Sequence, residues 1–212
     1  LTLRIQSIDD TNRGDHYHLR PEDTCLFLYE YTSRQGYSFS ATNSLISNLK
    51  KKPTASQNEL FYKSKAIRSC SADLQLTLNP NWLDIATIVP IPPSKASGHP
   101  DYDTRMEQVS HGIRPGLDVR SLVRQTVSLD PDHLAGDGQR KTIQDLVDVY
   151  QIDEELVASK PVTNIGIVDD VLTNGTHFRA MKQVLAQRFP GVTITGIFIA
   201  RRVFPETTNP FG

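Results

Sequence analysis

Only two cysteines, Cys25 and Cys70, occur in the 212 residues, far apart and outside any Cys-x-x-Cys spacing. A disulfide scaffold and a zinc ribbon are thereby excluded, and a thiol-reducing cytoplasm is the expected compartment. A charge of one sign is also lacking. Lys plus Arg number 23 against 24 for Asp plus Glu, a net charge of −1. No basic footprint marks the chain as a direct nucleic-acid binder. The apolar runs are short: Ile165–Val168 and Ile197–Ala200 fall far below the ~20 residues that cross a bilayer, so no membrane partner is expected. No secretion leader is visible from Leu1 onward. There is no Walker loop, no Gly-x-Gly-x-x-Gly and no Gly-x-Ser-x-Gly nucleophile elbow. Repeats and low-complexity tracts are absent too, and 38% hydrophobic residues suffice for a core that buries roughly two thirds of the unfolded surface.

What is present is an alternation of strand-like and helix-like segments. Thr24–Tyr31 reads as a strand. A turn at Gln35-Gly36 leads through Tyr37–Ser40 to a helix carrying Leu45, Ile46 and Leu49, which ends at Lys50-Lys51-Lys52-Pro53. Glu59–Leu76 is a second helix. Ala86–Ile91 is a nearly continuous apolar run, as in a strand covered on both faces. A polar loop, Pro92–Asp103, precedes a helix over Thr104–Ile113 and a strand-like stretch, Asp118–Val127. Ser128–Gln139 is a polar loop, and Thr142–Tyr150 reads as a short helix or a strand. Asn164–Val168 is a buried strand ending in Asp169-Asp170. A helix over Thr176–Phe189 and an apolar strand over Val192–Ala200 follow. The spacing predicts an α/β fold: a largely parallel twisted sheet flanked by helices. Ligands in such sheets bind beyond the carboxyl ends of the strands, which singles out the loops after Ile91 and Val168.

The loop after Val168 is the richer one. A buried strand brings two carboxylates, Asp169 and Asp170, to the ligand-binding edge. Thr173-Asn174-Gly175-Thr176-His177 then enters a helix. Gly175 tolerates positive φ and close approach. The free amides of the helix start and the hydroxyls of Thr173 and Thr176 suit a phosphate. The carboxylates repel that phosphate, and suit sugar hydroxyls or a cation held through water. A phosphorylated ribose carries both groups a few ångströms apart. The plainer reading is an aspartate cap followed by an ordinary turn.

The segment IGIVDDVLTNGTHFRAM resembles the signature by which type I phosphoribosyltransferases bind 5-phosphoribosyl 1-pyrophosphate (PRPP), and is especially similar to the orotate phosphoribosyltransferase form. The resemblance implies that Asp169 and Asp170 hold the ribose 2′ and 3′ hydroxyls, and a metal through them or through water. It also implies that Thr173 to Thr176, with His177, cradle the 5′-phosphate. Asn174 and His177 replace residues that are usually small. Ile88-Val89-Pro90-Ile91-Pro92-Pro93-Ser94-Lys95 is similar to the pyrophosphate loop of ComF-like members of that family. There Ser94 and Lys95 would meet pyrophosphate, with a cis peptide around Ser94-Lys95; read without the family, the segment is a proline-rich turn with a solvated lysine. Looser likenesses lie in Leu45–Lys50, in Arg140–Ile152 and at Arg201-Arg202, while the family's Gly-Phe-Asn-Gln segment and N-terminal zinc cysteines are missing.

The resemblance implies a PRPP-dependent transfer of ribose 5-phosphate to a nitrogenous base or nucleotide acceptor, with Mg²⁺ as cofactor. It divides the chain into an N-terminal hood with accessory elements at 1–80 and a phosphoribosyltransferase-like core at 81–212. Ser128–Lys141 becomes a candidate lid whose Arg140 and Lys141 reach pyrophosphate on closure; an ordinary solvated loop is the other reading. Tyr37 and Phe204 are candidate base-stacking residues. Two further classes stay open: a non-catalytic PRPP or nucleotide sensor, and a subunit of a nucleic-acid-handling or defence complex; a homodimer is equally compatible. Among the remaining features, the Lys50–Lys52 run reads as a solvated helix end. His16 and His18 would share a strand face, as a surface pair or a metal pair without a third ligand. His99, His111 and His133 show no ligand spacing.

Overall fold

The computed structural model describes residues 3–128 and 141–205. In chain order its elements are β1 (Gln6–Ser7), a 3₁₀ turn (Arg13–His16), β2 (Thr24–Thr32), a second 3₁₀ turn (Tyr37–Phe39), α1 (Ala41–Leu49), α2 (Gln57–Thr77), α3 (Pro80–Ile85) and β3 (Ala86–Pro90). Then come α4 (Arg105–Gly112), β4 (Val123–Gln125), α5 (Ile143–Val149), β5 (Tyr150–Ile152), α6 (Glu154–Ala158), β6 (Asn164–Leu172), α7 (Thr176–Arg188) and β7 (Thr193–Val203). Five strands form one mixed sheet in the order β1-β2-β7-β6-β3. All its pairings are parallel except β1 with β2. The fold is therefore α/β, with a mostly parallel sheet flanked by helices, as the alternation predicts.

Local chemistry explains the boundaries. Ser40 caps α1 by accepting from the Asn43 amide. Ser56 and Glu59 form a reciprocal capping box at the start of α2. Asn79 caps α3 immediately before Pro80. Thr142 and Asp145 make a second capping box, which decides the ambiguous stretch: α5 runs to Val149 and Tyr150 opens β5. Period-two alternation sends side chains to both faces of the sheet. Val89, Ile165, Ile167 and Phe198 pack under α5 and α7, with Leu146, Phe178, Met181 and Leu185. Ile88, Val168, Ile197 and Ile199 pack under α1 to α4, with Leu49, Cys70, Leu74 and Val109. Each such side chain contributes about 1.5–3 kcal/mol on burial.

Three sequence expectations change. First, the strand-like stretch Asp118–Val127 shrinks to β4, which pairs with β5 away from the main sheet. Val119 makes only an isolated bridge to Ile88. The cause is Arg120, whose buried guanidinium donates to the carbonyls of Leu156 and Lys160 (3.0 and 2.9 Å) and to Thr87 Oγ1 (2.9 Å), tying the crossing chain down. Second, β6 continues through both aspartates to Leu172. Third, the stretch 1–80 also supplies two strands of the sheet, because β2 pairs along β7 from Thr24–Thr195 to Thr32–Val203. Among the described residues no helix is long and apolar enough to cross a membrane. Cys25 and Cys70 are free and buried.

The interlayer packing is tight at β7. A Cβ on Gly196 would lie 2.8 Å from Phe198 Cε2, 2.9 Å from Phe178 Cε2 and 3.0 Å from Cys25 Sγ. Gly196→Val is expected to lower unfolding free energy by about 1–3 kcal/mol in urea denaturation. An unchanged midpoint would contradict this packing.

Candidate functional site

The carboxyl ends of β2, β7, β6 and β3 lie at one edge of the sheet, and the two singled-out loops meet there. The Ile91 amide donates to the Val168 carbonyl (2.9 Å), seating the proline loop against β6. Gln125 Nε2 donates to the Ser94 carbonyl (2.7 Å), holding the same loop from β4. Between the loops is a cavity of about 190 Å³. Ser94, Asp169, Asp170, Thr173, Gly175, Thr176 and His177 line it, together with Lys50, Asp103 and Arg105.

Asp170 is 4% exposed and both of its oxygens are engaged. Oδ1 pairs with Lys50 Nζ at 3.1 Å. Oδ2 accepts from Arg105 Nε and Nη2 at 3.0 and 2.6 Å. Arg105 Nη1 reaches Asp103 Oδ2 (2.9 Å), and that oxygen also accepts from the buried Lys63 (2.7 Å). Lys63 further donates to the carbonyls of Leu49 and Lys51, closing the carboxyl end of α1. A continuous ionic network thus runs from α2 to the sheet edge. Burial pushes the Asp170 carboxyl up, but Lys50 and Arg105 outweigh it and hold it well below the usual range, at about 2. Asp169 is half-buried, with Oδ1 accepting the Asp170 amide at 2.7 Å. Burial and the adjacent Asp170 charge raise its pKa to about 7. One member of the acid pair is thus held as an ion while its neighbour is biased toward the protonated form.

The following loop is shaped for close approach. Gly175 has φ +91°, and a Cβ there would meet Leu19 Cδ2 at 3.0 Å. Asn174 Oδ1 accepts from the Thr176 amide (3.2 Å) and Thr176 Oγ1 (2.9 Å), ordering the first turn of α7. First-turn amides have no intrahelical acceptor, so this end favours an anion. Burial, reinforced by the charge of Lys141, pushes the His177 imidazole down to about 4, so it stands neutral beside the cavity.

The structure brings most of the predicted residues together. Lys95 lines an adjoining smaller cavity with Ser97, Tyr102 and Arg124. Burial and the charge of Lys95 lower the pKa of Lys141, which places those two cations near each other. Arg140, His133 and all of the proposed lid Ser128–Lys141 except its two end residues lie outside the described residues. The cis peptide expected around Ser94-Lys95 is corrected: among the described residues every peptide bond is trans. Tyr37 and Phe204 are half exposed, and neither is among the residues lining the cavity. His16 is wholly buried in a 3₁₀ turn, so the surface or metal pair with His18 is also corrected. Among the described residues no three His, Cys, Asp or Glu side chains could hold a metal ion together.

Sequence reasoning missed Lys50, Lys63, Asp103 and Arg105. Lys50 in particular is a cation at the site and not merely a solvated helix end. Only the placement of Asp103 and Arg105 just after the proline loop offered a signal. Comparison with protein-family models and with curated proteins finds no match to the chain.

A pH dependence follows from Asp169. Its folded pKa is near 7 against an unfolded value near 3.8, so the folded state binds the extra proton between those limits. Stability is lost as pH rises through that window. In denaturation from pH 4.5 to 8, wild type is expected to lose stability relative to Asp169→Asn, whose amide cannot ionise. Parallel profiles would refute the shift. Lys63→Met removes a donor from the carbonyls of Leu49 and Lys51 and leaves Asp103 with Arg105 as its remaining cation, and is expected to cost about 3 kcal/mol by the same method.

Proposed function

We propose that the protein binds PRPP and transfers its ribose 5-phosphate to a nitrogenous acceptor, with release of pyrophosphate. The carrying observation is the meeting, around one cavity, of the acid pair Asp169-Asp170 with the Gly175 turn. In this reading the fold is of the type I phosphoribosyltransferase kind, and elements of 1–80 serve as its hood. The sheet-edge location supports it, as do Lys50 in the cavity wall and the neighbouring cations Lys95 and Lys141.

Roles can be distributed by availability. Asp169, whose carboxyl is not paired with a cation among the described contacts, hydrogen-bonds the ribose diol. Asp170 touches the cavity but spends its oxygens on Lys50 and Arg105, so it positions those cations. Thr173 to Thr176 receive the 5′-phosphate, with His177 neutral at its side. Ser94 and Lys95 are assigned to the pyrophosphate side, and Arg140 and Lys141 are the further cations this reading assigns to pyrophosphate. In the reaction the acceptor nitrogen gives its lone pair to ribose C1. The C1–oxygen bond to pyrophosphate breaks, and pyrophosphate leaves with that electron pair. The acceptor then loses a proton. Catalysis of such a step needs positioning and fixed charge more than covalent chemistry. Among the described residues Mg²⁺ does not fit as a resident ion, because both Asp170 oxygens are paired and no group of three ligands includes Asp169. It enters only as the counter-ion of the PRPP substrate.

The second reading, a non-catalytic PRPP or nucleotide sensor or a subunit of a larger complex, is favoured by one observation: neither Tyr37 nor Phe204 lines the cavity to stack a base. Pyrophosphate release from PRPP across a panel of bases separates the two. For the shared binding step, titration calorimetry with magnesium PRPP is expected to show at least about a tenfold affinity loss in Asp169→Asn plus Asp170→Asn. Undiminished binding in the double variant would remove the acids from the site.

A further inference from the structure

The segment 13–23 makes contacts that the proposed reaction does not use. His16 is fully buried, and its Nδ1 faces the Thr173 carbonyl oxygen across 157 residues of sequence. A carbonyl only accepts, so Nδ1 carries the proton and donates. Burial lowers the imidazole pKa, so the ring is neutral and Nε2 is a bare acceptor, buried without a partner among the described residues. One step along the loop, the His18 amide donates to the Asn174 carbonyl (3.0 Å). Asn174 Nδ2 donates to Tyr17 Oη (3.2 Å), and the Leu19 side chain fills the space where a Cβ on Gly175 would lie.

This strap is fixed from both sides without help from the loop. Upstream, Arg201 Nη1 pairs with Asp15 Oδ2 and Arg202 Nη2 donates to the Asp15 carbonyl, both at 3.2 Å. Downstream, the buried Asp23 accepts from Arg179 (2.9 and 3.0 Å) and Lys182 (2.6 Å) on α7. The strap is therefore a rigid part of β7 and α7, and the loop is held against it.

We infer that His16 is a positioning residue for the anion-binding turn. In a trans peptide the carbonyl and the next amide point in opposite directions. The strap turns two successive carbonyls, Thr173 and Asn174, toward itself. The amides of Asn174 and Gly175 are thereby turned away from it, the arrangement that makes an anion-binding concavity. Set before ligand arrives, these dipoles cost no reorganisation on binding. The inference rests on the reading of this turn as the 5′-phosphate site, and it adds a device that the DD-x-x-T-x-G-T segment does not contain.

The test uses calorimetry with three probes: PRPP, ribose 5-phosphate and inorganic pyrophosphate. His16→Leu removes the donor, and His16→Asn returns an N–H near the place of Nδ1. The expected result is about a tenfold loss for PRPP and ribose 5-phosphate in His16→Leu, unchanged pyrophosphate affinity, and recovery of most of the loss in His16→Asn. A merely structural histidine would weaken all three probes together or none. Either outcome overturns the positioning role while leaving the site intact. Wild-type protein that binds none of the probes overturns the site reading itself, and the strap's purpose with it. Should His16→Leu fail to fold, ¹⁵N shifts of the His16 ring in wild type decide: an Nε2–H tautomer excludes the donor and ends the proposal.

Discussion

A carboxylate at the carboxyl end of β6 cannot stay ionised in a nearly closed environment unless cations come to it. Asp170 meets that condition through Lys50 and Arg105, and much of the local architecture follows. Arg105 must stand at the start of α4, so the chain after the proline loop returns to the sheet edge. Lys50 must stand at the end of α1, so α1 points its carboxyl end at the cavity. Lys63 and Asp103 tie those two arrivals together from α2. Burial, and then the Asp170 charge, raise the pKa of Asp169, so the pair divides into an anchored ion and a neighbour that holds its proton more tightly.

The sheet delivers these groups by ordinary means. Four adjacent parallel strands end at one edge, and the loops that follow β3 and β6 are forced together there. The β6 loop then enters α7 through a residue with positive φ, which only glycine adopts without strain. The strap formed by residues 13–23 underlies this turn. A segment from the other end of the chain thus meets the loop at the site, through the backbone carbonyls of Thr173 and Asn174 and through the Asn174 side chain.

Much of this was legible in the sequence, for identifiable reasons. Asn164–Val168 and Val192–Ala200 are apolar runs of strand length, and strands occupy both except at Val192. Glu59–Leu76 read as a helix from its apolar positions, and α2 is that helix, begun two residues earlier by the Ser56–Glu59 capping box. Asp169, Asp170 and Gly175 were found because a buried strand, two acids, a glycine turn and a helix occur in immediate succession. The ionic network was invisible because Lys50, Lys63, Arg105 and Asp170 are separated by up to 120 residues, and no local pattern relates them. Lys50 resembled any helix-ending lysine. His16 lies in a polar stretch with neither helical nor strand period, so its burial and its carbonyl partner had no sequence signal. Asp118–Val127 had strand composition, but the tertiary demands of Arg120 overrode it.

The most direct test of the central claim is a crystal structure of the protein soaked with magnesium PRPP. The account predicts ribose hydroxyls within hydrogen-bonding distance of Asp169 and the 5′-phosphate in the turn formed by residues 173–177, with pyrophosphate toward Ser94 and Lys95. PRPP bound elsewhere, or an empty cavity at saturating ligand, would contradict it.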